Sequence, residues 1–156
     1  MTRAESVCVT GRPVVAARLG VSFGGVSIRA IKSPTDGMPV CRFTVSQGRG
    51  PLALSVELDD SPQPYQVLER RANEESQNFA FLAHFKYPQA IMHLGLDAWW
   101  FPREQQAQTT DGRVLITVTI IRWPGHGNRP RKALSAAVAR PYLGRLTGGR
   151  SDKGEA

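Results

Sequence analysis

Cys8 and Cys41 have the most specific chemistry open to any residues in this 156-residue chain. Their spacing matches no metal motif. Two thiols with no histidine cluster near them cannot complete a tetrahedral zinc site. Two options stay open: a pair of buried free thiols, or one disulfide pinning an N-terminal helix to a strand. A bridge closing a loop of this size stabilises by roughly 3–4 kcal/mol through chain entropy. His84, His93 and His126 are scattered and lack the i, i+4 spacing of a helical metal pair, so no metal ligand is assigned. The acid pairs Asp59-Asp60 and Glu74-Glu75 fall in a loop and on a polar helix face. General acid–base work needs carboxylates that converge on one pocket, and nothing in the pattern shows that convergence. The chain has no Gly-x-Ser-x-Gly, no P-loop and no dinucleotide fingerprint. "GVSFGGVS" is glycine-rich, but no Lys-Ser/Thr follows it. No catalytic residue is assigned, no cofactor is implied, and the chain reads as a non-enzyme.

The second candidate chemistry is aromatic. "DAWWFP" (97–102) places Trp99, Trp100 and Phe101 on one strand, and adjacent side chains of a strand face opposite ways. One tryptophan is therefore expected in a core, and its neighbour faces solvent, a second layer or a partner. With Phe81, Phe85 and Tyr87 of the preceding segment, these rings are the candidate lining of a ligand groove. The competing expectation is that they pack under helices.

The third candidate chemistry is cationic. The net charge is +7, unevenly spread. Residues 51–75 are acidic, while 1–50 and 122–156 are basic. Arg122, Arg129, Arg131, Lys132 and Arg140 form a candidate phosphate-contacting set for a nucleic acid. The alternative is a solvated surface with a loose basic tail.

The elements that must hold these residues follow from pattern. "TGRPVVAARLG" (10–20) predicts a short helix capped by Thr10, with Pro13 in its first turn and Gly20 at its end. Val14, Val15, Ala17 and Leu19 would make its apolar face. A short strand is expected at Val26–Ile31, then turn chemistry at "SPTDG". "PVCRFTVS" (39–46) alternates, with Cys41, Phe43 and Val45 inward, and returns through "GRGP" as "LALSVEL" (52–58). A helix begins near Pro64, with Tyr65, Leu68 and Ala72 at helical spacing. Residues 78–96 predict a loop or strand to Tyr87, then a connection. Asp111-Gly112 predicts a two-residue hairpin turn. "RVLITVTIIRW" (113–123) has two uncharged, β-branched faces, which suits a central strand. "KALSAAVA" (132–139) is helical, with Leu134, Ala137 and Val138 inward.

These elements predict a single α+β domain over 1–147, an antiparallel β-sheet packed by helices, with a disordered basic and polar tail at 148–156. The composition, 41% hydrophobic and 21% charged, fits a soluble globular protein. No apolar run reaches the length of about 18 residues that a membrane span needs. The N-terminus has no apolar h-region and no cleavage site, so this segment is not a signal peptide; the chain is expected to be either cytoplasmic or a mature fragment with a start Met attached.

"SVCVTGRPVVAARLGV", "PVCRFTV", "HLGLDAWWFP", "TTDGRVLITVTI" and a final Ala-rich helix follow one another in a familiar order. Over about residues 5–146 the chain resembles the small actinobacterial envelope lipoproteins of the LpqN and PsbP-like group. The resemblance implies an α/β sandwich and a disulfide between Cys8 and Cys41. It implies an extracytoplasmic location if that bridge forms, and a cytoplasmic one otherwise. It supplies no catalytic residue. The expected role is a non-catalytic binding or assembly module whose partner is an envelope protein, a lipid or a glycolipid. A basic cytoplasmic nucleic-acid-binding module is the alternative.

Overall fold

In the computed structural model, residues 1–46, 51–78, 87–125 and 128–144 are described. The expected turn at 48–51 falls mostly outside them, as do Phe81, Phe85 and the tail at 148–156.

The first helix, α1 (Arg3–Leu19), starts a full two turns before the expected position. Its cap is Thr2, not Thr10. Thr2 Oγ1 accepts from the Glu5 amide at 3.1 Å, and Glu5 Oε1 accepts from the Thr2 amide at 2.6 Å. This reciprocal pair satisfies two amides that the helix leaves without partners. Pro13 therefore lies inside the helix rather than in its first turn. Its missing amide would have bonded the carbonyl of Val9, and both residues are exposed, so water can take that carbonyl. Gly20 ends the helix, as expected. Val15 and Ala16 are the buried residues near this end, whereas Ala17 faces solvent.

Three strands follow: β1 (Val26–Lys32), β2 (Pro39–Val45) and β3 (Leu52–Asp59). Helix α2 (Pro64–Asn78) comes next, then β4 (Gln89–Ala90), β5 (Asp97–Phe101), β6 (Gln106–Thr110) and β7 (Leu115–Arg122). Helix α3 (Asn128–Ala139) and a 3-10 turn at Arg140–Tyr142 complete the order. The strands form one seven-stranded antiparallel sheet in the order β1-β2-β3-β7-β6-β5-β4. The long pattern of β7 is its central strand, as its two apolar faces require.

The turn at Asp111-Gly112 is wider than the two-residue hairpin expected. Thr110 pairs with Leu115, which leaves residues 111–114 in the connection. Side chains explain the extra length. Asp111 Oδ1 accepts from the amides of Arg113 (3.0 Å) and Val114 (3.3 Å), and Thr110 Oγ1 donates to the Val114 carbonyl at 2.7 Å.

The register sorts the side chains into two faces. On the inner face, Phe43, Leu54 and Ile120 make one row, and Cys41, Val56, Val118, Ala107 and Trp100 the next. Helices α1 and α3 cover this face, α1 over β1 and β2 and α3 over β6 and β7. Gly11 allows the close fit of α1: a Cβ there would lie 2.5 Å from Phe43 Cζ and 2.6 Å from Tyr142 Oη. Tyr142, fully buried, donates to the Val7 carbonyl at 2.5 Å and so joins the 3-10 turn after α3 to the first helix. Helix α2 covers the outer face, chiefly over β5, β6 and β7. Its Leu68 and Ala72, one turn apart, pack on Phe101 and Leu115. Tyr65 stays exposed. The result is a single α+β domain with helices on both sides of an antiparallel sheet, and none of its described helices is long and apolar enough to cross a membrane.

Candidate functional site

Cys8 and Cys41 are disulfide-bonded, with Cα atoms 5.2 Å apart. Both are almost completely buried. The bridge joins the second turn of α1 to the strand next to the sheet edge. It is part of the main core and not an exposed redox pair.

The aromatic strand is covered from both sides. Trp100 has no exposed surface and lies in the main core beneath the helices of the inner face. Phe101 is equally buried, on the opposite face under α2. The Arg71 guanidinium lies over the Phe101 ring at 3.8 Å from its centroid, and also bonds Glu75 Oε2 at 2.8 Å. Trp99 is half-buried beside α2, and its Nε1 donates to Asp97 Oδ2 at 3.2 Å. Tyr87 is half-buried. Phe81 and Phe85 lie outside the described residues. The expectation of one tryptophan inward holds for Trp100. Phe101 and Trp100 point into two different cores, so the strand does not present its rings to one groove.

The five cations proposed for phosphate contact are brought together only in part. Arg131 donates to Gln105 Oε1 at 2.6 Å and to the Gly125 carbonyl at 3.2 Å. Lys132 donates to Gln89 Oε1 at 3.4 Å, and Arg140 to the His93 carbonyl at 3.0 Å. Those three fasten α3 and its end to β4, to the β4–β5 and β5–β6 loops and to the loop before α3. Arg129 is exposed on α3, while Arg122 is exposed at the end of β7 on the outer face.

A different surface emerges from the register. Over β1, β2 and β3 no helix packs extensively on the outer face among the described residues. Arg29 and Arg42 sit directly opposite each other there, both exposed. Neither side chain has an ion-pair or hydrogen-bond partner among the described residues. Like charges placed across a strand pair repel, so this placement costs stability unless an anion neutralises it. Ser27, Thr44 and Ser55 flank the pair on the same face. β1 is also the edge strand, seven residues long. On the inner side of that edge, a groove of ≈ 430 Å³ runs between the start of α1 and the end of β1. Arg3, Lys32, Ala30 and Pro39 line it. Arg3 pairs with Asp60, holding its carboxyl below the usual carboxylate range and fixing α1 to the end of β3.

Beyond the arginine pair, the carboxylate oxygens of Asp36, Glu57 and Asp59 lie within 4.8 Å of one another. This is the grouping among the described residues that could ligate a cation. Asp36 is held ionised by the Met38 amide, whose bond to Oδ1 is 3.0 Å. Glu57 is pushed up to about 7, first by burial and then by the Asp36 charge. Of the three, Glu57 is the carboxyl that takes up a proton most readily.

Sequence reasoning marked Arg42 as outward but missed its opposition to Arg29. The alternation of "PVCRFTVS" carries the first fact. The second depends on how many residues the "SPTDG" reversal takes up. A scan against protein-family models, a search of curated proteins and a search of solved structures each returned no match.

Proposed function

We propose that this chain is a non-catalytic binding or assembly module of the bacterial cell envelope, working outside the cytoplasm on a protein partner. The observation that carries the reading is the buried Cys8–Cys41 bridge. Disulfides persist where the surroundings are oxidising and are rare in the cytosol. The order of motifs shared with the LpqN and PsbP-like group supports the same compartment. A protein partner is favoured over a lipid because Trp100 and Phe101, which a lipid groove would use, are core residues. The free polar and cationic surface lies instead at the β1 end of the sheet.

The test is the intact mass of natively produced protein, unfolded and alkylated with and without reductant, from separated cell fractions. The expected result is envelope protein that takes up no label until it is reduced. Label on both thiols without reductant, or a chain confined to the cytosol, would sink the reading. The rival nucleic-acid reading keeps Arg122 and Arg129 but has Arg131, Lys132 and Arg140 engaged within the fold. Duplex DNA titrated at low salt decides it, since such binding must weaken steeply as salt rises.

A further inference from the structure

We propose that the β1 edge takes up an extended acidic segment of a partner protein as an added strand, gripped by Arg29 and Arg42. Three observations meet at this edge. β1 has a strand neighbour on one side only among the described residues, so half of its backbone amides and carbonyls point outward. Such an edge is a template for one more strand. Arg29 on β1 and Arg42 on β2 lie opposed on the outer face, their side chains with no partner among the described residues. On its inner face the groove lined by Arg3, Glu5, Ala30, Lys32 and Pro39, of mixed charge, offers a seat for the side chains that are not acidic.

An added strand would alternate its side chains between these two faces. Its acidic residues would lie beside Arg29 and within reach of Arg42, where they neutralise a repelling pair. Small or apolar residues would turn to the groove side, near Ala30 and the partly exposed Ile28. The charge also selects against a second copy of this chain. β1 carries Arg29 and Lys32 and no acid, so any pairing of two β1 strands adds cations to cations. A free anion such as phosphate would satisfy the arginines but leave the backbone edge unused.

The proposal rests on the reading of the chain as a binding module, not on its compartment. Its probe is a fluorescein-labelled peptide of alternating Glu and Val with blocked ends. The assay uses full-length oxidised protein whose disulfide is verified by mass. The peptide is expected to bind and to protect the amides of 26–32 from exchange. An equally acidic peptide with Pro in place of Val, which loses half its amide donors, should bind at least about tenfold more weakly. The Arg29→Glu, Arg42→Glu double variant should weaken the Glu-Val peptide by about tenfold or more while keeping the unfolding midpoint. Milder replacement by Gln at both positions gives a second reading if the charge reversal disturbs folding. Equal binding of the Pro peptide would overturn the proposal, as it would mean a polyanion surface. Self-association through β1, no binding of the Glu-Val peptide, or binding with exchange at 26–32 unchanged would each overturn it too. Failure here leaves the envelope reading standing. Free thiols would remove that reading without touching this one.

Discussion

At Gly11 a missing side chain does the packing. A methyl group there would press on Phe43 and on the Tyr142 hydroxyl, and both are pinned, one in the core and one by its bond to Val7. Gly11→Ala is therefore expected to destabilise by about 1–3 kcal/mol, read from chemical unfolding. Glu57 gives a prediction in pH. Its carboxyl has an ordinary value of 4.5 and is raised to about 7 in the fold. Between those values the folded chain keeps a proton that the unfolded chain releases. Stability then falls as pH climbs through that window and levels off above it. Much of the group is solvated, so screening limits the effect to about 1 kcal/mol. Glu57→Gln should flatten the fall and leave the Gln variant the more stable chain at alkaline pH, as measured by unfolding midpoints across pH. The sequence marks neither residue. Gly11 falls in the first turn of the helix expected after Thr10, and Glu57 on the outward side of an alternating strand. Their surroundings come from β2, the 3-10 turn at Tyr142 and the loop at Asp36, all distant in the chain.

Among the elements, β5 separates two kinds of aromatic. Trp100→Ala opens the main core and is expected to cost about 3–5 kcal/mol. Trp99→Ala removes a half-buried ring at the α2 seam, and about 1–2 kcal/mol is expected. Equal losses in denaturant unfolding would mean that the two faces of the strand are not divided between two cores. This division is legible in the sequence, because period-2 alternation alone puts neighbouring tryptophans on opposite sides. The β2–β3 hairpin is legible for the same reason, and the central strand β7 because both of its faces are uncharged and β-branched. The start of α1 carries a signature too, Thr2-Arg3-Ala4-Glu5, which the apolar pattern beginning near Thr10 overshadows. Other features have no local signature. β4 is two residues long. The pairing of β3 with β7 joins strands separated by a helix and three other strands, and no short window contains it. Gly95 is a further case. With φ 63° and Thr110 O only 2.5 Å from where a Cβ would sit, it admits no larger residue before β5, yet it reads as plain turn chemistry.

For the whole molecule, the bridge between Cys8 and Cys41 restrains the N-terminal third. Replacing both by Ser should lower the unfolding free energy by roughly 3–4 kcal/mol, and reduction of the natural chain should act alike in a thermal melt. A much smaller loss would mean that the unfolded chain is already constrained there. The two rims of the sheet are unequal in a way that bears on assembly. The β1 rim is seven residues long and the β4 rim only two. A protein with two long complementary rims can pass its sheet from copy to copy without end, as fibres do. Among the described residues this one has no second long rim to offer a successor. Whatever joins at β1 caps the sheet, and growth stops after one addition.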